Sequence, residues 1–301
     1  MFVITGATGN TGSVVAKKLL QQGAKVRVVG RSVERLNSLV AEGAEPFVAD
    51  IADAAELAKA LAGAKAAYVV IPPKMDAPDF RGYQDRITAA VASAVKTSGV
   101  RHVVTLSSVG ADKKDGTGPV AGLHHLEQQL NAIPGLNVLH LRAGYFMPNT
   151  LAQAGIIHNM GIALGPLRGD LGLPLIATED IGEAAAQALL ALDFHGSQAR
   201  ELLGQRDVSY NEVAQIIGKS IGKPGLQYVH APDDQVRPAL LQMGMSPNMA
   251  DLLLEMTGAL NSGYMRALEP RSSRNTTPTS YESFVAEKFV PLFEGKAAVH
   301  A

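Results

Sequence analysis

A strand, a glycine-rich loop and a helix follow one another at the start of the chain, and this order constrains the fold more than any other feature. The apolar stretch FVIT at 2–5 leads into Gly6, Gly9 and Gly12, and a helical pattern covers about 11–22. Glycines at this spacing leave backbone N–H groups bare at the beginning of a helix, where the helix dipole favours an anion. In such a loop, Gly6 permits the tight turn, Gly9 lets phosphates approach and Gly12 allows close packing of helix on strand.

The alternation of strands and helices continues along the first half of the chain. The apolar runs are rich in Val and Ile and almost continuous, which is typical of parallel strands that are buried on both faces. The further predicted strands lie at 25–30, 45–49, 66–71, 101–107 and 136–142, and the helical patterns between them at 32–42, 53–62, 80–98 and 120–132. This pattern predicts an α/β fold with a Rossmann-type doubly wound parallel sheet.

The pattern becomes less regular after about residue 150. We predict a Rossmann domain at 1–150, to which 175–210 also contributes sheet elements, and a smaller, mostly helical lobe at 151–301 for substrate or partner. Helical patterns at 177–192 and 209–222 lie in this second part. The smaller lobe is expected to pack over the carboxyl ends of the strands, where open α/β sheets bind ligands.

The context of the glycine loop indicates a dinucleotide. The loop follows a strand, opens a helix and begins a run of strand–helix units, so we expect it to bind a pyrophosphate. The glycines and the small polar side chains of Thr8, Asn10 and Thr11 are the predicted contacts. A tight turn that holds no ligand is the alternative interpretation.

The residues after the second strand indicate which dinucleotide is bound. Enzymes that use NAD usually have an acidic residue there, which accepts a hydrogen bond from the ribose 2'-OH. This chain has VVGRS at 28–32 instead. Arg31, assisted by Arg35, is therefore predicted to bind the 2'-phosphate of NADP(H), with NADPH preferred over NADH. The alternative is a solvated surface arginine.

Two further strand ends supply candidate contacts to the nucleotide. Asp50 ends the third strand and is predicted either to contact the adenine or to begin the next helix, where Asp53 is the better cap. Ile71 and Pro72 follow the fourth strand. They are predicted to form a wall beside the nucleotide, although Pro72 alone would also stop a strand.

Composition excludes several classes of function. The 301 residues include no cysteine, which removes disulfides, thiolate metal sites and thiol nucleophiles. The formal net charge is -1, so no general field attracts nucleic acid or anionic membrane. The first strand begins at residue 1 or 2, which leaves no room for a signal peptide, and no apolar run reaches the roughly 20 residues of a bilayer span. We expect a cytoplasmic protein that binds no nucleic acid, no membrane and no metal.

Motifs in both halves of the chain occur in an order typical of one family. They are ITGATGNTGSVVAKKLL (4–20), VVGRS (28–32), LSSVGAD (106–112), HHLEQQL (124–130), LRAGYFMPN (141–149), DIGEAAAQAL (180–189), YNEVAQIIGKSIGK (210–223) and TPTSYESF (277–284). Over nearly its whole length the chain thus resembles the NmrA-like family, an atypical branch of the short-chain dehydrogenase/reductase superfamily. The resemblance implies a Rossmann domain that binds NADP(H). Some members reduce quinones or other small electrophiles, and others act as redox-responsive regulators without clear turnover.

The usual catalytic residues of the superfamily are incomplete. Its carbonyl reductases place a serine after the fifth strand and a Tyr-x-x-x-Lys pair on the next helix. Ser107 and Ser108 end the fifth strand and are the predicted catalytic serines, but the helix at 120–132 has neither tyrosine nor lysine, so the dyad is absent. His124, which the resemblance favours over His125, is predicted to donate a proton beside the nicotinamide. A histidine on the surface or in an interface is the alternative.

The segment after the sixth strand supplies a candidate substrate pocket. Tyr145, Phe146 and Asn149 lie at the carboxyl edge of the predicted sheet, and the two aromatic rings suit a flat quinone. Packing of both rings in a core is the alternative. The charged, glycine-rich loop at 111–119 is predicted to be either a lid over this pocket or a solvated turn.

Two functions are consistent with these residues. The first is an NADPH-dependent oxidoreductase that transfers hydride to a quinone or another small electrophile, because a quinone needs little acid catalysis. The second is a non-catalytic NADP(H) sensor whose occupancy changes its affinity for a protein partner. Oxidation of NADPH by a panel of electron acceptors distinguishes the two.

Overall fold

A computed structural model describes residues 1–296 of the chain. Its strands are β1 (Phe2–Ile4), β2 (Val26–Gly30), β3 (Glu45–Val48), β4 (Ala66–Val69), β5 (His102–Ser108), β6 (Asn137–Ala143), β7 (Tyr145–Phe146), β8 (Ala163–Gly165), β9 (Leu173–Ile176), β10 (Ser197–Leu202), β11 (Asp207–Val208) and β12 (Tyr228–His230). Its helices are α1 (Gly12–Gln21), α2 (Val33–Ala41), α3 (Ala54–Leu61), α4 (Phe80–Ser98), α5 (Val120–Asn131), α6 (Gln153–Met160), α7 (Thr178–Ala191), α8 (Tyr210–Ser220), α9 (Asp233–Gln242), α10 (Pro247–Asn261), α11 (Tyr281–Phe284) and α12 (Val290–Phe293). A 3₁₀-helix (Met147–Ala152) precedes α6, and a π-helical turn (Val285–Phe289) joins α11 to α12.

Seven of these strands form one parallel sheet, in the order β10-β6-β5-β4-β1-β2-β3. The chain adds strands in one direction from β1 to β3 and in the other direction from β4 onwards. The crevice between the two directions therefore opens at the carboxyl ends of β1 and β4, where sheets of this kind bind their ligands. The predicted doubly wound fold is confirmed.

Two hydrophobic cores cover the two faces of this sheet. Val104 enters the core that β5 shares with α1, α2 and α7, and Val103 enters the core with α3, α4 and α5. Successive residues of a strand point to opposite faces, so a strand covered on both sides needs the nearly continuous apolar sequence seen here. This is why the inner strands of the first half were recognisable from the sequence, whereas the edge strand β3 is largely exposed.

The second half of the chain contributes one strand to the central sheet and builds a third core. β10 pairs in parallel with β6 at the sheet edge. The third core gathers residues from α6, α8, α10 and α11, together with two small sheets, β11-β9-β7 and β12-β8. These small sheets were not predicted, because strands of two to four residues are too short to show a period. The division of the chain at residue 150 stays a prediction.

The structure also settles some local details. Asp53 begins α3, where its carboxylate accepts hydrogen bonds from the N–H groups of Ala55 and Glu56, both at 3.0 Å. The predicted helix at 80–98 matches α4. Over residues 1–296, no helix is both long enough and apolar enough to cross a membrane.

Candidate functional site

The glycine loop between β1 and α1 is built so that side chains are excluded at two positions. Gly6 has φ +58°, and a Cβ there would lie 2.4 Å from Val70 Cγ1. A Cβ on Gly12 would lie 2.3 Å from the Gly6 carbonyl oxygen, which the loop itself holds by a 2.9 Å bond from Gly9 N–H. The turn and the close contact of α1 with the loop thus both depend on glycine.

The beginning of α1 is open to an anion. Thr11 occupies the N-cap position, but its side chain makes no capping bond; its hydroxyl accepts a hydrogen bond from the Tyr68 hydroxyl at 3.0 Å. No acidic residue lies in the first turn of α1. Thr8, Gly9 and Asn10 are exposed beside it. Side chains cap α2, α3 and α4, whereas α5 and α7 also begin without a side-chain cap. The bare glycine loop and uncapped helix fit a pyrophosphate group.

Tyr83, in the first turn of α4, connects this helix to the segment that follows β4. The Tyr83 hydroxyl donates to the Pro72 carbonyl at 3.0 Å. Burial raises the pKa of Tyr83, the Arg31 charge lowers it and the Asp50 charge raises it. Pro72, which was named from the end of β4, thus contacts Tyr83, and the charges of Arg31 and Asp50 act on the same phenol. Ile71 is buried beside Pro72.

Arg31 and Asp50 have side chains exposed on this edge. Asp50 does not cap α3; one of its carboxylate oxygens accepts from Ala52 N–H at 2.9 Å. Tyr83 was missed, because the hydrogen bond that relates it to Pro72 joins a helix to a loop eleven positions earlier. The nucleotide contacts of Arg31, Asp50, Ile71 and Pro72 stay predictions.

A buried charged cluster lies where β5 and β6 end. Ser107 and Arg142 are register partners on these strands. Both contact Glu127 of α5: Ser107 Oγ donates to Oε1 at 2.6 Å, while Arg142 Nε donates to Oε1 at 3.0 Å and Nη2 to Oε2 at 2.6 Å. Glu127 is only 2% exposed, and its hydrogen bond is the main reason that the pKa of Arg142 is raised. This two-pronged pair is a strong, specific contact.

A second polar group continues this cluster along the same face of the sheet. His140 Nε2 lies 2.9 Å from Asn131 Oδ1, which can only accept, so Nε2 carries the proton. The other nitrogen, Nδ1, then accepts from the Thr105 hydroxyl at 2.7 Å. Burial lowers the pKa of His140 to about 4. Glu127 and Asn131 are four apart on α5, so one helix face carries both contacts.

Glu127 was missed, although the sequence contains a signal. It lies between Leu126 and Leu130, on a helix whose buried face would otherwise be apolar. A charged residue at such a position needs a buried partner, and Arg142 is the partner that the fold supplies.

The three predicted catalytic residues are not brought together by hydrogen bonds. Ser108 Oγ donates to the Val109 carbonyl at 2.9 Å. His124 Nδ1 donates to the Ala111 carbonyl at 2.8 Å, and the residue lines a surface pocket of about 450 Å³ with Arg81, Lys114, Asp115, His125 and Gln128. Its neighbour His125 contacts Asp85 at 2.7 Å instead. The catalytic roles of Ser107, Ser108 and His124 stay predictions.

Tyr145 and Phe146 point to different parts of the molecule. Both lie on β7, which pairs with β9. Tyr145 packs against the third core, where its ring meets that of Tyr210 edge-on at 6.3 Å, and Phe146 packs against a core of the central sheet. Asn149 is exposed in the 3₁₀-helix that follows. The structure therefore does not place the two rings on one slot, and their contact with substrate stays a prediction.

The loop at 111–119 is tied to α10 and the residues after it. Gly118 N–H donates to Glu255 at 3.2 Å, and the Tyr264 hydroxyl donates to the Asp115 carbonyl at 3.3 Å. Thr117 is fully buried. Residues 114–116 of the loop are exposed, and its role as a lid or as a solvated turn stays a prediction. Among residues 1–296, no cluster of three or more His, Cys, Asp or Glu residues is suited to a metal ion.

Comparison with known proteins identifies the family. The model of the NmrA-like family matches residues 1–284, so the chain belongs to this family. An NAD(P)H azoreductase of Xenophilus azovorans is 29% identical over 265 residues, which cover 88% of this chain and 89% of the relative. A (4-alkanoyl-5-oxo-2,5-dihydrofuran-3-yl)methyl phosphate reductase of Streptomyces griseus is 28% identical over 270 residues, 90% of each.

Solved structures share the fold over almost the whole chain. An NADPH-dependent quinone oxidoreductase of Escherichia coli, in complex with NADPH, superposes with a TM-score of 0.81 at 24% identity and covers 97% of this chain and 100% of its own. A triphenylmethane reductase of Citrobacter sp. with NADP(H) superposes with a TM-score of 0.75 at 18% identity, covering 96% and 99%. The predicted family and fold are confirmed.

Proposed function

We propose that this member of the NmrA-like family is an NADPH-dependent reductase of flat, electron-poor small molecules, with quinones as the representative substrate. The glycine loop and the uncapped start of α1 support a dinucleotide, and Arg31 supports NADPH over NADH. Similar proteins bear the names of an azoreductase and of a quinone oxidoreductase. Azo and quinone groups share a conjugated, electron-poor framework.

The residues of this chain would hold the cofactor along the carboxyl edge of the sheet. The loop from Gly6 to Gly12 would bind the pyrophosphate, and Arg31 the 2'-phosphate. Asp50 and the Ile71-Pro72 pair, which Tyr83 anchors, would border the adenosine. When bound, the cofactor supplies the hydride. The protein contributes the position of the two reactants and the exclusion of water.

The hydrogen bonds of the Ser107 and Ser108 hydroxyls support quinones as the substrate class. Ser107 donates to a carboxylate oxygen of Glu127, and Ser108 donates to the Val109 carbonyl. A carboxylate oxygen and a backbone carbonyl can only accept a hydrogen bond. Each serine is therefore the donor, and its proton is held by a bond within the protein. Neither hydroxyl is then free to protonate a substrate oxygen. An acceptor whose reduced form is stabilised by its own conjugation, such as a quinone, needs no such acid.

Oxidation of NADPH by the purified protein tests this function. The panel contains a benzoquinone, a naphthoquinone, an azo dye and an aliphatic aldehyde, and we expect turnover with the first three and little with the aldehyde. Faster reduction of the aldehyde than of any quinone would contradict the proposal. Tight NADPH binding without turnover of any acceptor would instead favour a sensor that acts through a protein partner.

Replacement of the serines tests the proton argument. Ser107→Ala keeps the Glu127–Arg142 pair, and Ser108→Ala removes only a bond to the next carbonyl. We expect quinone turnover to stay within about threefold of wild type, since loss of a general acid costs roughly 100-fold or more. A loss of that larger size in either variant, with NADPH affinity unchanged, would assign that serine an acid role.

A further inference from the structure

The segment at 264–269 follows α10 and contacts two parts of the central sheet, the loop after β5 and the strand β10. At its start, the Tyr264 hydroxyl donates to the Asp115 carbonyl, and Met265 is buried against Gly110, where a Cβ would lie 2.8 Å from the methionine Cε. Gly110 comes two residues after β5. The start of the segment is therefore fixed over the loop that leaves β5.

The other end of the segment is held by Glu201, near the end of β10. Leu268 N–H donates to both carboxylate oxygens, at 2.9 and 3.0 Å, and Glu269 N–H donates to one of them at 2.8 Å. Glu201 is buried, and its neighbour in register on β6 is Arg142. Its negative charge contributes to the raised pKa of Arg142.

Glu201 thus lies next to the buried cluster of Ser107, Glu127 and Arg142. Ser107, Arg142 and Glu201 are register partners on β5, β6 and β10, so their side chains point to the same face of the sheet. The 264–269 segment is anchored at Gly110, two residues after β5, and at Glu201 on β10, the outermost strand on this side of the sheet. The start of the segment therefore lies near Ser107 and Ser108 at the end of β5, whereas the glycine loop follows β1, four strands from β10.

Two large apolar side chains of the segment are exposed there. Tyr264 is 44% exposed and Leu268 53%, whereas Met265 between them is buried. Exposed apolar groups are favourable contacts for an apolar ligand, because binding removes them from water. A flat conjugated ring is the ligand chemistry that such contacts and the proposed reaction have in common.

We propose that the 264–269 segment is the substrate-side wall of the site, that Leu268 contacts the ring of the substrate, and that Glu201 is the positioning residue that holds this wall. The proposal rests on the proposed function, because it takes an electron-poor ring as the substrate. Glu201 acts through the backbone N–H groups of Leu268 and Glu269 and does not touch the reacting atoms.

The test measures ring binding without turnover. A naphthoquinone is titrated into the protein loaded with NADP+, in which no hydride is available, and its Kd is compared for wild type, Leu268→Ala and Glu201→Gln. Leu268→Ala keeps every hydrogen bond of the segment, and Glu201→Gln keeps the size of the side chain but only one acceptor oxygen. Matched controls are Met243→Ala, an apolar residue that is 65% exposed, and Glu212→Gln, whose carboxylate accepts from Ser209 N–H at 2.9 Å in the capping box of α8 and pairs with Arg206 at 3.0 Å.

We expect the naphthoquinone Kd to rise about fivefold in Leu268→Ala and in Glu201→Gln, the effect of losing part of one apolar contact. The Kd for NADPH should stay within about twofold, and neither control should change. Trypsin should cut faster after Arg266, which is exposed in the segment, in Glu201→Gln alone. This cleavage separates release of the wall from general unfolding.

Three results would overturn the inference: no naphthoquinone binding by wild type, an unchanged Kd in Leu268→Ala, or unchanged cleavage at Arg266 in Glu201→Gln. Binding of naphthoquinone that responds to both variants, without any reduction by NADPH, would support the wall and contradict the proposed reductase. Reduction of quinones with a KM that neither variant changes would support the proposed reductase and contradict the wall.

Discussion

Replacement of Gly12 by alanine is expected to disrupt the cofactor loop without a change of charge. The added Cβ would lie 2.3 Å from the Gly6 oxygen, 2.8 Å from the Gly6 carbon and 3.1 Å from Ala7 Cα. All three are backbone atoms, so no side chain can rotate away. An ordinary contact begins at 3.4 Å, and the start of α1 must therefore move from the loop by about 1 Å.

A movement of this size is expected to weaken NADPH binding by about 100-fold, because contacts to a bound group lose most of their strength when displaced by an ångström. Overpacking of this kind should also lower the free energy of unfolding by about 1–3 kcal/mol. NADPH affinity is measured by the change in cofactor fluorescence, and stability by urea denaturation. Both effects follow from one steric contact.

Gly155→Ala is the matched control. Gly155 lies in α6, where a Cβ would meet nothing within 4 Å, so the same chemical change should leave NADPH affinity unchanged and stabilise the helix by up to about 1 kcal/mol. If Gly12→Ala bound NADPH as tightly as Gly155→Ala does, the close contact of α1 with the loop would not be what shapes the cofactor site.

Three other predictions concern charge. Arg31→Ala should weaken NADPH binding by about tenfold or more and leave NADH nearly unchanged, so equal affinities of the two cofactors in the wild type would refute the 2'-phosphate role. Glu127→Gln leaves the partly buried Arg142 without its ion-pair partner and should cost about 3–5 kcal/mol in urea denaturation; a loss below about 1 kcal/mol would mean that the pair contributes little. His140 has a pKa of about 4 in the folded chain, below its value in the unfolded chain, so the unfolded state takes up the proton first and stability falls as the pH drops from about 6.5 towards 4. Between pH 7 and 5 this residue should account for about 2 kcal/mol of the loss, and the same pH series on His140→Asn should lack that part.

The sequence by itself determined the features that depend on neighbours along the chain. The glycine loop, the parallel strands up to β6 and the helices between them were all predicted, because period, turn chemistry and burial on both faces leave marks within a few residues. The candidate residues at the strand ends follow from the same logic, since parallel strands present their carboxyl ends at one edge. Family membership followed from motifs whose order along the chain can be read directly.

Only the tertiary structure decided which side chains meet across elements. Ser107 and Glu127 are 20 residues apart, and Glu127 and Arg142 are 15 apart, on three different elements. The hold of Glu201 on Leu268 spans 67 residues. No local period records such pairs, because each depends on the strand order and the register that packing selects. The glycine loop is therefore legible in the sequence, whereas the contact of Ser107 with Glu127 and the contacts that anchor the 264–269 segment exist only once the sheet has formed.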